Sequence, residues 1–274
     1  MASISISPAP LEATAPRVQR FIRSNERLFY GILGFVIVAA LWETAGDIGL
    51  YRKSLLSTPS LVLLAAWQDF SSGAIYPDLI ASGREFFLGF IAATVVGIPL
   101  GFAIGLFRRV EYLTSYLIFG IYSTPKAAIA PLIILTAGIE LESKVILVFL
   151  LTFFSVIVST VAGVRAVNER HLDIAQSFGA SRWLRFRSVV LPSTFPFILT
   201  GIRIATGRAL VGVIVAEELA ANEGIGHYIE LYGTFLQTNR VMLGIVLLGL
   251  FGIILGEGVR RIEKRYEVWR QEIH

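Results

Sequence analysis

Residues 171–192 read HLDIAQSFGASRWLRFRSVVLP, a polar segment that lies between two long apolar stretches of the chain. The segment carries three arginines, and its Gly179 precedes Pro192 by 13 residues. The short loops of a membrane protein usually carry little pattern, so this insert predicts a mechanical contact with a molecule outside the bilayer.

Composition indicates the solvent in which the chain folds. Apolar residues make up 55% of the chain and charged residues 16%, and the mean hydropathy is +0.70. This apolar content exceeds what the core of a soluble protein requires. Residues 86–107 and 145–164 are uncharged runs of 22 and 20 residues, each long enough to cross ~30 Å of hydrocarbon. Four weaker candidates lie at 28–46, 112–138, 195–216 and 241–256. The sequence therefore predicts an all-α polytopic membrane protein with about six transmembrane helices.

Basic residues are divided unequally between the two sides of these spans. Sixteen lie on one side, in groups at 17–27, 108–109, 165–187 and 260–270. Five lie on the other side, at Arg52, Lys53, Arg84, Lys144 and Arg240. Because cytoplasmic loops collect Lys and Arg, both termini and the insert at 165–194 are predicted to be cytoplasmic. The first residues lack the charge and apolar core of a cleavable signal, so 1–24 is predicted to be a disordered tail.

Two features inside the predicted spans concern helix packing. Gly97, Gly101 and Gly105 recur every four residues on one helix face, and small residues at this spacing allow close approach of a second helix. Pro99 and Pro125 also lie within spans, where each is a candidate bend.

Several classes of function have little support. The net charge of +4 comes without a basic face interleaved with aromatic residues, so we expect no nucleic-acid partner. The chain has no GxxxxGK[ST] motif, and therefore no cradle for nucleotide phosphates. It has no cysteine, and His171, His227 and His274 are far apart in the sequence. We therefore predict no catalytic residues and no metal site.

The spacing within the insert predicts two short helices joined by a turn. Leu172, Ala175 and Phe178 recur at helical intervals, and Gly179 can adopt the left-handed conformation that ends a helix. Ser181 is a candidate N-cap for a second helix that continues to Pro192. An amphipathic helix lying on lipid headgroups explains the same spacing equally well.

The insert resembles the EAA loop of the binding-protein-dependent permeases of bacterial ATP-driven importers. That pattern is Glu-Ala-Ala, three residues, Gly, nine residues, Ile, one residue, then Leu-Pro. Here it falls on Asp173, Ile174, Ala175, Gly179, Val189, Leu191 and Pro192. Every spacing matches, and Ile174 in place of the first alanine is the one clear departure. The likeness extends over about 55–260 and includes TPSLVLLAAW, STPKAAIAPLIILTAG and GIRIATGRALVGVIVAEELAANEGIGHYI, which resemble stretches of permeases for sulfonates, taurine and nitrate.

The resemblance implies a MetI-like ATP-binding-cassette permease fold in the bacterial inner membrane. It implies a permease domain at 25–263 that includes the insert, and a cytoplasmic C-terminal tail at 264–274. The partners implied are a cytoplasmic ATPase dimer, an extracytoplasmic solute-binding protein, a second permease subunit and membrane lipid. ATP and Mg²⁺ would bind the ATPase, and this chain would hold no cofactor. The residues implied to couple to the ATPase are Asp173, Ile174, Ala175, Ser177, Phe178, Gly179, Ala180 and Ser181.

Charged residues within spans are costly unless they are paired or hydrated, so they indicate a pathway by default. Lys126 lies about 14 residues into the span at 112–138, which corresponds to roughly 21 Å along a straight helix and a position near mid-bilayer. Lys126, Arg208 and Glu217 are the predicted pathway residues. Arg203 and Arg208 are five residues apart and should lie on different helix faces. Structural ion pairs, for example with Glu85 or Glu43, are the alternative for each charge.

These observations favour the permease subunit of an importer for a small anion, such as a sulfonate, taurine or nitrate. A permease for a vitamin precursor, such as a thiamine pyrimidine or riboflavin, remains an alternative within the same family. An ion-coupled secondary transporter is a second alternative, although no clear repeat relates residues 28–138 to 139–260. A membrane scaffold without transport activity is a third.

Overall fold

A computed structural model describes residues 26–52 and 55–266, and every regular element within these ranges is a helix. The predicted tail at 1–24 and the residues after 266 lie outside them. The chain divides into two compact units at Leu61 and Val62. The first unit contains α1 (Glu26–Asp47), and the Glu43 carboxylate in this helix accepts hydrogen bonds from the Ser60 backbone at 2.9 Å and hydroxyl at 2.7 Å. Helix α2 (Pro59–Ser72) begins at the boundary.

The second unit contains the remaining helices. They are α3 (Tyr76–Leu106), α4 (Arg108–Ser123), a 3₁₀ turn (Lys126–Ile129), α5 (Ala130–Ala137), α6 (Leu141–Arg165), α7 (Glu169–Ser177), α8 (Arg182–Arg185), a π-helical turn (Phe186–Val190), α9 (Leu191–Ala220), α10 (Ile225–Thr234) and α11 (Thr238–Tyr266).

Five helical segments among the described residues are long and apolar enough to cross a membrane. They are Phe29–Asp47, Tyr76–Leu106, Leu141–Arg165, Arg182–Ala220 and Thr238–Lys264. A sixth crossing is formed only if α4 and the segment Lys126–Ala137 count as one span, and these two are bent by 85°. The prediction of about six transmembrane helices is therefore confirmed. Of the two candidate bends, Pro125 lies at this break, whereas Pro99 lies inside the continuous helix α3.

The break in this third span has a local cause. Pro125 has no backbone N–H and disfavours a helical conformation of the residue before it. Thr124 accordingly adopts an extended conformation with φ −71° and ψ 134°, and α4 ends at Ser123. Lys126 therefore lies just beyond a sharp bend, and the depth of roughly 21 Å expected from a straight helix does not apply.

Helix α6 is the centre of the second unit and packs along both α3 and α9. The glycine face of α3 lies against it as predicted. A Cβ atom at Gly97, Gly101 or Gly105 would lie 3.2, 2.6 or 2.7 Å from a side-chain atom of α6. The opposing residues are Val156, Thr160 and Val164. These three positions therefore have no room for a side chain, and close packing is the reason for glycine there.

Ion pairs join several helices within the second unit, and two of them bear on the predicted intramembrane charges. Lys144 Nζ on α6 lies 3.3 Å from Glu85 Oε1 on α3, and both side chains are nearly buried. Arg203 Nη1 on α9 lies 3.0 Å from Glu263 Oε2 on α11. The expectation that some intramembrane charges form structural pairs is thus confirmed for Arg203 and Glu85.

Candidate functional site

The insert adopts the predicted helix, turn and helix. Helix α7 is capped by Asn168, whose side chain accepts from the Arg170 N–H at 3.0 Å. Gly179 closes the helix with φ +76°, a conformation that costs glycine no steric energy. Ser181 Oγ then accepts from the Leu184 N–H at 3.2 Å and begins α8. Local capping interactions therefore determine the shape of this segment.

The residues predicted to couple to an ATPase form the outer surface of the insert. Six of them are exposed, and Ala175 and Ala180 are half-buried. Ile174 is 55% exposed and Phe178 is 88% exposed. Because these two are four residues apart on or at the end of α7, they share one side of the helix. An exposed apolar pair within a polar segment is typical of a protein–protein contact.

A separate cavity of about 630 Å³ opens beside the break between α4 and the 3₁₀ turn. Lys126 and Arg208 both line this cavity, which we call the Lys126–Arg208 cavity. The Lys126 side chain is buried, and its Nζ donates to the Tyr122 carbonyl at 2.8 Å and the Thr124 carbonyl at 3.4 Å. These carbonyls lie at the C-terminal end of α4, so the ammonium also caps that helix.

Tyr122 connects the two cations of this cavity. Arg208 Nη2 donates to the Tyr122 hydroxyl at 2.8 Å, and its guanidinium carbon lies 5.0 Å from the centre of the Tyr122 ring. Lys126 Nζ lies 5.2 Å from the same ring centre and 5.2 Å from the Phe154 ring centre. Two cations therefore face one aromatic ring in the half-buried wall of the cavity.

The Lys126–Arg208 cavity carries positive charge without a balancing carboxylate. Within residues 26–52 and 55–266, no Asp or Glu oxygen lies within 4.0 Å of Lys126 Nζ or of the Arg208 guanidinium nitrogens. The lining also includes the polar residues Ser123 and Thr124. Over the same ranges, no cluster of three His, Asp or Glu side chains could hold a metal ion. The cavity therefore offers hydrogen-bond donors and positive charge, which suit the binding of an anion.

Glu217, the third predicted pathway residue, does not line this cavity. It is fully buried, and its carboxylate accepts from the Ser82 hydroxyl at 2.5 Å and the Gly226 N–H at 2.6 Å. The neighbouring Ile225 N–H donates to Ser82 Oγ at 2.8 Å, and the Gly224 N–H to Asp78 at 2.9 Å. Side chains of α3 and α9 thus satisfy the free N–H groups that begin α10.

Three residues of these two sites, Tyr122, Ser82 and Asp78, were not predicted from the sequence. The four-residue spacing of Tyr122 and Lys126 places the two on one face only of a continuous helix, and α4 ends at Ser123, so this spacing does not explain the contact. Ser82 and Asp78 lie 135 or more residues away from the groups that they bind. Nothing in their local sequence indicates those partners.

Comparison with known proteins gives a consistent result. Residues 93–268 match the family described as "Binding-protein-dependent transport system inner membrane component". The taurine transport system permease protein TauC of Escherichia coli is 33% identical over 242 residues, which cover 86% of this chain and 88% of that protein. The putative aliphatic sulfonates transport permease protein SsuC of Bacillus subtilis is 30% identical over 88% of this chain and 87% of that protein. The formylaminopyrimidine transport permease protein ThiX of Halalkalibacterium halodurans is 31% identical over 88% and 95%.

Solved structures confirm the fold at lower sequence identity. An inward-facing structure of the MetNI methionine ABC transporter superposes with a TM-score of 0.57 at 16% identity, covering 70% of this chain and 94% of that chain. An amino acid ABC transporter with histidines superposes with a TM-score of 0.54 at 17% identity, covering 74% and 96%. These matches show the MetI-like permease fold.

Proposed function

This chain belongs to the family of inner membrane components of binding-protein-dependent transport systems, and from that premise we propose that it is the translocation subunit of an importer for a small organic anion. In this proposal a second permease copy completes the pathway, and an extracytoplasmic binding protein delivers the solute. A separate ATPase dimer binds ATP and Mg²⁺ and supplies the energy. This chain binds and guides the solute, and it carries out no covalent chemistry.

The exposed face of the insert is the proposed contact with the ATPase. Phe178, with 88% of its surface exposed, is the proposed central anchor, and Ile174 lies beside it on the same side of α7. Burial of two such side chains contributes roughly 1.5–3 kcal/mol each to an interface. The ordered turn at Gly179 and Ser181 holds the anchor in place, so a movement of the ATPase is transmitted to α8 and α9.

The Lys126–Arg208 cavity is the observation that carries the proposal of an anionic solute. Two cations line it, and no carboxylate of the described chain pairs with either. Charges held in or near hydrocarbon cost several kcal/mol unless a counter-ion or water accompanies them. An anion in the cavity supplies that counter-ion and receives hydrogen bonds from both side chains.

Among anions, we propose a sulfonate such as taurine. A sulfonate presents three acceptor oxygens to the ammonium and the guanidinium, and permeases for taurine and aliphatic sulfonates are 30–33% identical to this chain. A thiamine precursor is the second candidate, because the formylaminopyrimidine permease is 31% identical over a similar length. The positive charge of the cavity favours the sulfonate over this neutral type of solute.

Uptake by proteoliposomes that contain the chain, its ATPase and its binding protein tests this proposal. We expect ATP-driven uptake of a radiolabelled sulfonate, which Lys126→Met and Arg208→Gln each lower by roughly 10- to 150-fold, because a hydrogen bond to a charged group contributes about 1.5–3 kcal/mol. Lys126→Arg retains the charge and should be milder. All variants should assemble with the ATPase in normal amounts.

Arg84→Gln is the matched control, since Arg84 is an exposed arginine on α3 that does not line the cavity. It should transport at the normal rate. Normal sulfonate uptake by Lys126→Met and Arg208→Gln would contradict the proposed role of the cavity. If formylaminopyrimidine is transported and sulfonates are not, the solute class is wrong while the transport mechanism remains.

A further inference from the structure

A second cavity, of about 1090 Å³, lies between the C-terminal end of α3 and the insert. We call it the insert cavity. Its inner wall is apolar and includes Ile98, Phe102, Leu106, Phe186 and Val190. The Phe102 and Phe186 rings meet edge to face with their centres 5.2 Å apart, which connects the two sides of the cavity. A volume of this size is at the upper end of the range for ligand sites in proteins.

The outer rim of the insert cavity is basic. Arg182 and Arg185 both line it, and they lie one helical turn apart on α8. Arg185 Nη1 donates to Gln176 Oε1 at 2.7 Å, which orients this guanidinium. In the part of the chain that the structure describes, no carboxylate oxygen lies within 4.0 Å of either guanidinium. Both arginines are therefore available to an external anion.

The position of the insert cavity corresponds to the boundary between hydrocarbon and headgroups. The apolar run of α3 ends at Leu106, and Arg108 and Arg109 follow almost directly. Trp183 is 68% exposed at the rim and stacks on Phe186 with the ring centres 5.6 Å apart. Tryptophan prefers this level of a membrane because its ring is apolar and its N–H is polar.

The π-helical turn is a second unusual feature at the same place. Residues Phe186–Val190 form this turn, and Phe186 and Val190 project from it into the cavity wall. The Leu191 N–H donates to the Phe186 carbonyl five residues earlier, and Pro192, which follows it, has no N–H to bond to the Ser188 carbonyl in the ordinary helical pattern. π-helical turns are rare in proteins, and those that occur often lie at functional sites.

We propose that the insert cavity binds one anionic phospholipid. One of its acyl chains lies along the apolar wall formed by α3 and the π-helical turn, and its phosphate is held by Arg182 and Arg185. Guanidinium groups bind phosphate oxygens through two parallel hydrogen bonds. A zwitterionic headgroup also carries a phosphate, but its own cation offsets the negative charge, so we expect it to bind the two arginines more weakly. The apolar wall is continuous with a membrane-spanning helix, so a lipid can enter it directly from the bilayer.

The proposed lipid has a consequence for the insert. It contacts α3 on one side and α8 on the other, and α8 is joined to the exposed face of α7 through Gly179. A bound lipid therefore holds the insert against the end of α3. We expect the content of anionic lipid to change how firmly the insert is held, independently of which solute is transported.

Native mass spectrometry of the complex of the chain with its ATPase tests this proposal. The complex is titrated with phosphatidylglycerol and, separately, with phosphatidylcholine. We expect one phosphatidylglycerol per permease chain to bind preferentially. Arg182→Gln combined with Arg185→Gln should weaken its apparent affinity by roughly 30-fold, because each basic residue near a membrane surface contributes about 1 kcal/mol toward an anionic lipid.

A second variant tests the apolar wall without a change of charge. Ala103→Phe fills the cavity from α3 and should also prevent retention of the lipid. Arg187→Gln and Val95→Phe are the matched controls, since both positions are exposed and neither lines the insert cavity. Both controls should bind phosphatidylglycerol normally.

Equal affinity for the two lipids, or unchanged phosphatidylglycerol binding by the double arginine variant, would overturn the proposal. A different outcome is that the unmodified complex shows no preference for phosphatidylglycerol and that Ala103→Phe loses the ATPase. That pair of results would show that the insert cavity contacts the ATPase and does not bind a lipid. Because lipid binding is measured without transport, failure here leaves the proposed function untouched.

Discussion

Gly179 is the residue on which the shape of the insert depends most. Its φ is +76°, and among the described residues no atom beyond its local backbone and its chain neighbours lies within 4 Å of the place where a Cβ would be. A substitution here therefore creates no clash, and its effect comes from the backbone conformation alone. Residues other than glycine pay about 1–2 kcal/mol in the left-handed region, and β-branched residues pay more. We predict that Gly179→Val abolishes ATP-driven uptake while the protein stays in the membrane.

Gly179→Asn is the control for that prediction, because asparagine tolerates a positive φ better than valine. It should retain most of the uptake and of the copurifying ATPase. The measurement is uptake by proteoliposomes together with the ratio of ATPase to permease after purification. Normal uptake and normal ATPase association in Gly179→Val would show that this turn does not couple the two proteins.

Lys126 shows how a single residue can have two roles at once. Its ammonium caps the carbonyl end of α4 and also lines the Lys126–Arg208 cavity. The alternative of a buried pair with a glutamate has no support among the described residues, since no such pair lies within 4.0 Å. This is why Lys126→Arg, which keeps the charge, is the informative partner of Lys126→Met.

At the scale of the elements, the features that the sequence predicted best are those that local interactions determine. The helix, turn and helix of the insert depend on Asn168, Gly179 and Ser181, whose partners lie within four residues. The break after α4 was harder to predict, because a proline within a span is usually tolerated and only its neighbours decide whether the helix continues. The role of Glu217 was not predictable, because its Ser82 partner lies 135 residues away.

Helix α2 is joined to α10 and α11 through one buried carboxylate. Asp69 accepts from Arg240 Nε and Nη2 at 2.9 Å each and from the Tyr228 hydroxyl at 2.6 Å. Burial raises the pKa of Asp69, but the hydrogen bonds from Arg240 and Tyr228 outweigh it and hold that pKa below its usual value of 3.8. The contribution of Asp69 to stability is therefore present above pH 3.8 and is lost as the pH falls through the lower, folded-state pKa.

This linkage predicts a difference between the wild type and Asp69→Asn that depends on pH. The wild type should unfold at a higher temperature at pH 5–7, and the gap should close as the pH falls below about 4. Thermal unfolding in detergent measures both curves. Tyr228→Phe removes one donor and should give a smaller gap that closes over the same range. Curves that remain parallel down to pH 3 would show that the Asp69 charge does not stabilise this junction.

At the scale of the whole molecule, the distribution of basic residues predicts the orientation. The six-span topology predicted from the sequence assigns sixteen basic residues to the side that carries the insert and five to the other side. The chain has no cysteine, so single cysteines can be placed freely. We predict that a cysteine at Ser181 resists a membrane-impermeant reagent in intact cells, whereas cysteines at Ser72 and Asn222 react. All three positions are exposed in the structure.

Permeabilised cells provide the control for accessibility, since all three cysteines should react there. Labelling of Ser181 from outside intact cells would reverse the orientation and remove the proposed ATPase contact. Ser24 and Gln271, which are predicted to be cytoplasmic as well, lie outside the described residues, so the insert is the more direct position to test.

Membership of the permease family also bears on the alternative functions. The family match at 93–268 and the MetI-like fold do not support an ion-coupled secondary transporter or a scaffold without transport activity. The helical fold could be anticipated because its apolar runs are long enough to cross a membrane, and the insert because its spacing resembles that of the family loop. The Lys126–Arg208 cavity could not, since it requires the bend after Ser123 and the approach of α9 to α4.

The central claim is that this chain translocates a solute at the expense of ATP hydrolysed by a separate protein. The most direct measurement is solute uptake into proteoliposomes in which the chain, the ATPase, the binding protein and ATP are each omitted in turn. We predict uptake only when all four are present, and no ATP hydrolysis by the purified chain alone. Uptake driven by an ion gradient without the ATPase, or ATP hydrolysis by this chain alone, would contradict the claim.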